Sequence, residues 1–264
     1  MATKGSEYST SRRLTSLAEW AGTTRVLSPV RRLLRPCYDA AVRGLERRYQ
    51  ILVPLGQGQR IEVLDRIHDI RQERNLCMAT QEAFFLAMAV ARTAKVPGAL
   101  AEIGVFQGAS AKLICEGKGD RELFLFDTFE GLPEVEACDS TDFTKGQFAY
   151  SEASVREYLA GYPNVEVYKG LFPQSGAAIA GKQFSFVHLD VDLYNSTLAS
   201  LGFFYPRLSP GAILLSHDYL ASGVRQAFDE FFADKPEPVL ELIGSQCAIV
   251  KTGQSSGRDR LPEG

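Results

Sequence analysis

Five short apolar segments, separated by turns and helical stretches, constrain the fold of this 264-residue chain more than any other feature. Apolar runs of this length between turn residues are typical of buried strands. Strands that alternate with helices predict an α/β fold, with a parallel sheet and helices on both faces. The segments are Ala99–Gly104, Glu122–Asp127, Val165–Lys169, Phe184–Asp190 and Ala212–His217.

Further elements follow from local patterns. A buried helix is predicted over Thr80–Lys95, and shorter helices follow four of the strands. The capping-box spacing of Ser154 and Glu157 predicts a helix start there, after a long loop at 128–150. The segments Val239–Ile243 and Cys247–Lys251 predict a closing hairpin.

Charge and composition divide the chain into three parts. Residues 1–72 are predicted to form a basic, irregular helical N-terminal region. Residues 73–251 are predicted to form the α/β domain, and residues 252–264 a flexible tail. The basic region suggests either contact with an anionic partner or membrane surface, or a solvated helix face or subunit contact. No apolar run reaches the roughly 20 residues of a membrane span. Five scattered cysteines and the lack of an export signal predict a cytoplasmic protein. No nucleic-acid partner is expected.

The first strand runs into a glycine-containing turn that suggests a ligand site. Gly104 and Gly108 allow a sharp turn, and the following helix offers its N-terminal N–H groups to an anion. The spacing is GxxxG rather than the GxGxxG of dinucleotide-binding dehydrogenases. Asp127 ends the second strand, and an acidic residue about 20 positions after such a turn is typical of ribose binding. Together these residues favour a nucleotide-like ligand.

Polar residues also follow the fourth and fifth strands. Asp190 and Asp192 end one strand, and His217 and Asp218 end the other. Carboxylates that converge at this edge suit a divalent cation such as Mg²⁺. Such a cation would lower the pKa of a substrate hydroxyl and favour its attack on an activated methyl group. His217 is expected either to ligate the cation or to act as a general base in its absence.

Six segments of the chain then resemble the macrocin O-methyltransferase family over roughly residues 74–251. They are AEIGVFQGAS, LFLFDTFEGLPE, YKGLFP, FSFVHLDVDLYNST, FYPRLSPGAILLSHDY and GVRQAFDEFF. The resemblance implies a class I methyltransferase (Rossmann-like) fold, a seven-stranded sheet whose last strand is antiparallel. It also implies S-adenosylmethionine as cofactor and a small-molecule acceptor, a sugar hydroxyl in antibiotic biosynthesis. A homo-oligomer is compatible with it.

The same resemblance assigns roles to individual residues. Asp190, His217 and Asp218 are expected to hold Mg²⁺, and Asp192 is expected to take the hydroxyl proton, with His217 as a second catalytic candidate. The residues expected to bind the cofactor are Met78, Thr80, Glu102, Gly104, Gly108, Ser110, Asp127, Thr128 and Phe129.

One position departs from the family pattern. His217 stands where family members have a second aspartate, and imidazole suits zinc or another transition metal better than Mg²⁺. The metal site is therefore expected to be weaker, differently selective or lost. Two other functions remain open at this point: a nicotinamide dehydrogenase, and a non-catalytic methyltransferase-fold protein that associates with a membrane or partner through its basic arm.

Overall fold

The computed structural model describes residues 58–253, and of these, residues 66–253 belong to one compact unit. Most of the predicted basic N-terminal region, and the predicted tail after Gly253, lie outside the described residues. The strands are β1 (Ala99–Ile103), β2 (Leu123–Asp127), β3 (Val165–Lys169), β4 (Phe184–Leu189), β5 (Leu208–Ser216), β6 (Leu240–Glu241) and β7 (Cys247–Val250). The α-helices are α1 (Gly58–Glu73), α2 (Thr80–Arg92), α3 (Ala109–Lys118), α4 (Glu152–Leu159), α5 (Tyr194–Phe204) and α6 (Ser222–Phe232).

The sheet has seven strands in the order β3-β2-β1-β4-β5-β7-β6. The first five strands are parallel, and β7 pairs antiparallel with β5 and with the short β6. The predicted α/β fold, its antiparallel last strand and the closing hairpin are thus confirmed. The order reverses between β1 and β4, and ligands of such sheets bind beyond the strand ends near this reversal.

The core consists mainly of aliphatic and phenylalanine side chains from the sheet and from α5 and α6. Phe204 and Phe228 lie in one buried cluster with Ile103 and Phe126, and Phe204 and Phe228 are fully buried. Burial of one such ring contributes about 2–3 kcal/mol relative to exposure. The packing fixes the strand ends rigidly, which is what a site at those ends requires.

One predicted helix start is wrong. Helix α4 begins at Glu152, and its N-cap is Ser151, whose hydroxyl accepts a hydrogen bond from the Ser154 N–H at 3.3 Å. Ser154 thus lies inside the first turn and does not cap it. Two serines three residues apart offer competing caps, and the earlier one is used.

The predicted long loop at 128–150 is fastened to the domain by a buried aspartate. Asp139 Oδ1 accepts the Tyr194 N–H at 2.7 Å, and Oδ2 accepts the Glu136 N–H at 2.8 Å. Tyr194 is the first residue of α5, so the carboxylate also lies at the positive end of that helix. The loop is therefore held over the sheet edge where β4 ends.

A second buried carboxylate, Glu237, lies away from that edge. It accepts hydrogen bonds from the Tyr205 hydroxyl at 2.6 Å, from Lys251 Nζ at 2.8 Å, and from the hydroxyl and N–H of Thr252. Burial alone would raise its pKa, but the bonds from Lys251 and Tyr205 outweigh burial and lower the pKa of Glu237 to about 2.

We expect Glu237→Gln to lower the free energy of unfolding by roughly 1–3 kcal/mol at pH 7. A carboxylate whose folded-state pKa is depressed stabilises the fold above its ordinary pKa near 4.5, and this stabilisation is lost as the pH falls through about 2. The difference between wild type and variant should therefore shrink between pH 5 and pH 3. Urea unfolding at several pH values measures it, with the exposed Glu241→Gln as a control. A difference that is independent of pH would contradict the assignment.

Candidate active site

A cavity opens at the carboxyl ends of the parallel strands, with an empty volume of about 1120 Å³ that includes space open to solvent. One wall consists of the turn after β1 and the end of β2. The opposite wall consists of the residues after β4 and β5, and the loop that follows β2 covers part of the opening. The residues of these walls include Gly104, Val105, Phe106, Asp127, Thr128, Asp190, Asp192, His217 and Asp218.

The glycine at the start of the turn is required by the neighbouring strand. Gly104 has φ +87°, and a Cβ atom there would lie 1.7 Å from the carbonyl oxygen of Asp190. Gly108 has φ +82° and is the N-cap of α3, where a Cβ would press against Val155 at 3.3 Å. The backbone conformation and the packing at both positions thus favour glycine, whether or not a ligand binds there.

Asp127 holds the same turn in place. Its Oδ2 accepts the N–H groups of Val105 and Phe106 at 2.7 and 2.8 Å, and its Oδ1 accepts the N–H of Phe129 at 2.7 Å. A carboxylate has about four acceptor positions, so one or more remain for a ligand hydroxyl. Asp127 therefore shapes the turn as well as lining the cavity.

On the opposite wall, an imidazole lies among carboxylates. His217 Nδ1 is 2.7 Å from Asp218 Oδ2 and 3.3 Å from Asp190 Oδ1. One donor atom from each of Asp190, His217 and Asp218 lies within 4.8 Å of the others, which is close enough for a shared cation. Burial opposes a charge on the ring, but the carboxylate of Asp190 and the bonds to Asp218 and Glu82 raise the pKa of His217 far above its ordinary value.

Asp192 lies beside this group in a backbone conformation with φ +62°. Burial, together with the negative charges of Asp190 and Asp218, raises the pKa of Asp192 to about 9. The pKa of Asp190 is lowered instead. Burial opposes ionisation there, but the charge and the hydrogen bond of His217 outweigh burial. The two aspartates after β4 thus differ in proton affinity, as an acid–base site requires.

The nine predicted cofactor-binding residues divide into two groups. Those that line the cavity are Met78, Gly104, Ser110, Asp127 and Thr128. Those that the structure places outside its lining are Thr80, Glu102, Gly108 and Phe129. Thr80 starts α2, and Phe129 is a buried residue whose N–H bonds Asp127.

Among the predicted residues outside the cavity lining, Glu102 has a buried partner within the protein. It is fully buried, and its Oε1 is 2.8 Å from Nδ1 of the equally buried His188. Burial raises the pKa of Glu102 despite the contact with His188. The pairing with His188 gives one oxygen of Glu102 a partner within the protein, and its role toward the cofactor stays a prediction.

Sequence reasoning missed several residues of the site. Glu82 and Ser245 contact His217 from outside the cavity, at 3.4 and 3.2 Å from its Nε2. The only local signal for Glu82 was a charge at the start of an otherwise apolar helix. The cavity also has an apolar side, made by residues from the long loop, Leu132, Pro133, Phe143 and Phe148.

Comparisons with known proteins give the family to which this chain is similar. A family model described as Macrocin-O-methyltransferase (TylF) matches residues 80–247. The 8-demethyl-8-(2,3-dimethoxy-alpha-L-rhamnosyl)-tetracenomycin-C 4'-O-methyltransferase of Streptomyces olivaceus is 31% identical over 169 residues, which cover 57% of this chain and 64% of the relative. The chain spans less than two thirds of the length of the curated relatives that it matches.

Solved structures share the fold. The O-methyltransferase NovP is 24% identical, with a TM-score of 0.58 over 66% of this chain and 81% of that chain. An O-methyltransferase from Bacillus cereus, solved in complex with SAH, is 18% identical, with a TM-score of 0.50 over 80% of this chain and 97% of that chain.

Within residues 58–253, no helix combines the length and the hydrophobicity needed to cross a membrane. The match over residues 80–247 covers well over half of the sequence, and together with the seven-stranded sheet it shows that this chain belongs to the macrocin O-methyltransferase family.

Proposed function

We propose that this protein is an S-adenosylmethionine-dependent O-methyltransferase that acts on a hydroxyl of a sugar-containing small molecule. One observation supports this most directly: a single cavity is lined on one side by the glycine turn and Asp127, and on the other by Asp190, His217 and Asp218. A methyl donor and a hydroxyl acceptor have to meet in such a space.

The donor side is assigned to the turn after β1 and the residues around it. S-adenosylmethionine, when bound, supplies an electrophilic methyl group on a sulfonium. Gly104 and Ser110 would border its amino-acid part, and a free acceptor position of Asp127 would receive a ribose hydroxyl. Met78 and Thr128 line the same cavity and complete this side. The N–H bonds to Asp127 hold the turn in place before any ligand arrives.

The acceptor side is assigned to the cluster after β4 and β5. Asp190, Asp218 and His217 would hold a divalent cation, which when bound lowers the pKa of a coordinated hydroxyl. The donor set fits a cation, because several carboxylates surround one imidazole and are partly desolvated. Asp192 lines the cavity beside them and would receive the hydroxyl proton as the methyl group is transferred.

The acceptor class rests on the relatives and on the shape of the cavity. One relative is named as a 4'-O-methyltransferase of a rhamnosyl-tetracenomycin, and another as a mycinamicin III 3''-O-methyltransferase. The apolar loop residues would cover the non-sugar part of such a molecule, while the carboxylates face its hydroxyls. Neither the dehydrogenase nor the non-catalytic alternative has support in these comparisons. A cytoplasmic location and self-association stay predictions.

We expect Asp190→Ala to abolish methyl transfer while the dissociation constant for S-adenosylmethionine changes by less than about threefold. The substitution removes a cation ligand but leaves the glycine turn intact. Calorimetry with S-adenosylmethionine and transfer of a labelled methyl group to a panel of glycosides measure the two quantities. Asp234→Ala, which changes an exposed aspartate just after the end of α6, is the control. Full turnover by Asp190→Ala and by chelator-treated wild type would refute the cation's role. A folded wild type that binds no S-adenosylmethionine at millimolar concentration would refute the methyltransferase itself.

We expect Asp192→Asn to lower kcat by about 100- to 10,000-fold, because the amide cannot accept the hydroxyl proton. The KM for the acceptor and the affinity for S-adenosylmethionine should change little, since the side chain keeps its size. Steady-state kinetics with whichever glycoside of that panel the wild type methylates measure the effect. The control is Asp142→Asn, an exposed aspartate on the long loop. A kcat within a factor of three of wild type would mean that another group takes the proton.

A further inference from the structure

Glu82 is a buried carboxylate that the proposed reaction does not use. It lies in the first turn of α2, is 5% exposed, and is followed by apolar residues along the helix. Its Oε2 accepts the Ala79 N–H at 2.6 Å, and its Oε1 accepts the N–H and the hydroxyl of Ser245 at 2.6 and 3.0 Å. These bonds fix the carboxylate in one orientation.

That orientation brings Glu82 to the rear of the imidazole in the candidate cation site. His217 Nε2 is 3.4 Å from Glu82 Oε2 and 3.2 Å from the Ser245 hydroxyl. His217 Nδ1 faces the opposite way, toward Asp218 at 2.7 Å and Asp190 at 3.3 Å. The two ring nitrogens thus have separate partners: one faces the cavity and the other faces α2.

This division is the one found where histidine binds a metal. A ligating imidazole usually donates its other N–H to a carboxylate, which fixes the tautomer and the direction of the lone pair. A cation at Nδ1 would replace the proton there, while Nε2 keeps its proton and donates it toward Glu82. Imidazole nitrogen is a common ligand of Zn²⁺ and other transition metals, whereas Mg²⁺ prefers oxygen ligands and water.

We propose that Glu82, assisted by Ser245, is a positioning residue that holds His217 with Nδ1 toward Asp190 and Asp218, and that this site therefore prefers Zn²⁺ to Mg²⁺. The proposal rests on the cation site of the proposed function. It adds a residue that touches neither substrate nor cofactor and acts through His217. It also accounts for the presence of histidine at position 217.

The test is metal binding by the full-length, chelator-treated protein, with Zn²⁺ or Mg²⁺ alone as the probe. Wild type should bind Zn²⁺ more tightly than Mg²⁺. Glu82→Gln should weaken Zn²⁺ binding by about 10- to 100-fold and leave affinity for S-adenosylmethionine unchanged. Glu237→Gln is the matched control, because it also replaces a buried, multiply hydrogen-bonded glutamate, and it should leave Zn²⁺ affinity unchanged. No acceptor is needed, so the result is independent of whether the proposed methyl transfer is correct.

A second set of measurements separates positioning from a merely structural role. In Zn²⁺-loaded wild type, nitrogen-15 NMR should show His217 ligated at Nδ1 and protonated at Nε2. In a His217→Asp background, Glu82→Gln should no longer weaken Zn²⁺ binding, because its effect passes through the imidazole. Ser245→Ala should also weaken Zn²⁺ binding, by a smaller factor. It replaces Glu82→Gln in the test if that variant does not fold.

Several outcomes would overturn the proposal. The first is a wild type that prefers Mg²⁺ or binds neither cation. The second is a Zn²⁺ affinity that is unchanged in both Glu82→Gln and Ser245→Ala. The third is an equal loss of Zn²⁺ affinity on Glu82→Gln in the wild-type and the His217→Asp backgrounds.

Discussion

The contact on which the site depends is the approach of two backbones, at Gly104 after β1 and Asp190 after β4. A side chain at position 104 would overlap the Asp190 carbonyl oxygen, so the two strand ends can lie together only with glycine there. The Asp190 N–H also bonds the Ile103 carbonyl at 2.9 Å, and the His217 N–H bonds the Leu189 carbonyl at 2.8 Å. The ends of β1, β4 and β5 are therefore in register, and this register brings the cofactor turn and the carboxylate cluster into one cavity.

Charge then decides what the cavity can do. Carboxylates removed from water are costly unless a positive group faces them. His217 supplies that positive charge for Asp190 and Asp218, while Asp192, next to both, is left with like charges and a raised pKa. This crowding keeps Asp192 protonated at neutral pH, and a cation that offsets the charges of its neighbours would lower the pKa of Asp192 and free its carboxylate to accept a proton. The position of His217 among four carboxylates therefore decides which of them hold a proton.

The sequence predicts the parts of this arrangement that depend on local patterns. Strand periodicity and turn glycines place β1, β4 and β5, and the rule that parallel strand ends meet at one edge brings Asp190 near His217. Contacts that depend on side-chain direction are not predictable in this way. Glu102 was expected to bind the cofactor, and nothing in the sequence indicates its contact with the buried His188. The bonds from the Val105 and Phe106 N–H groups to Asp127 depend on how β1 and β2 align. The contact between Glu82 and His217 joins residues 135 positions apart.

The histidine at position 217 is best understood together with its neighbours. An imidazole reaches farther than an aspartate, so its far nitrogen needs a partner behind the site, and α2 supplies Glu82. The turn between β6 and β7 supplies Ser245 and, before it, Gly244, where a Cβ atom would lie 2.3 Å from the Glu82 carboxylate. Replacement of His217 by aspartate alone would leave Glu82 facing further negative charge. Glu82, Ser245 and Gly244 therefore form surroundings that suit an imidazole at position 217 better than a carboxylate.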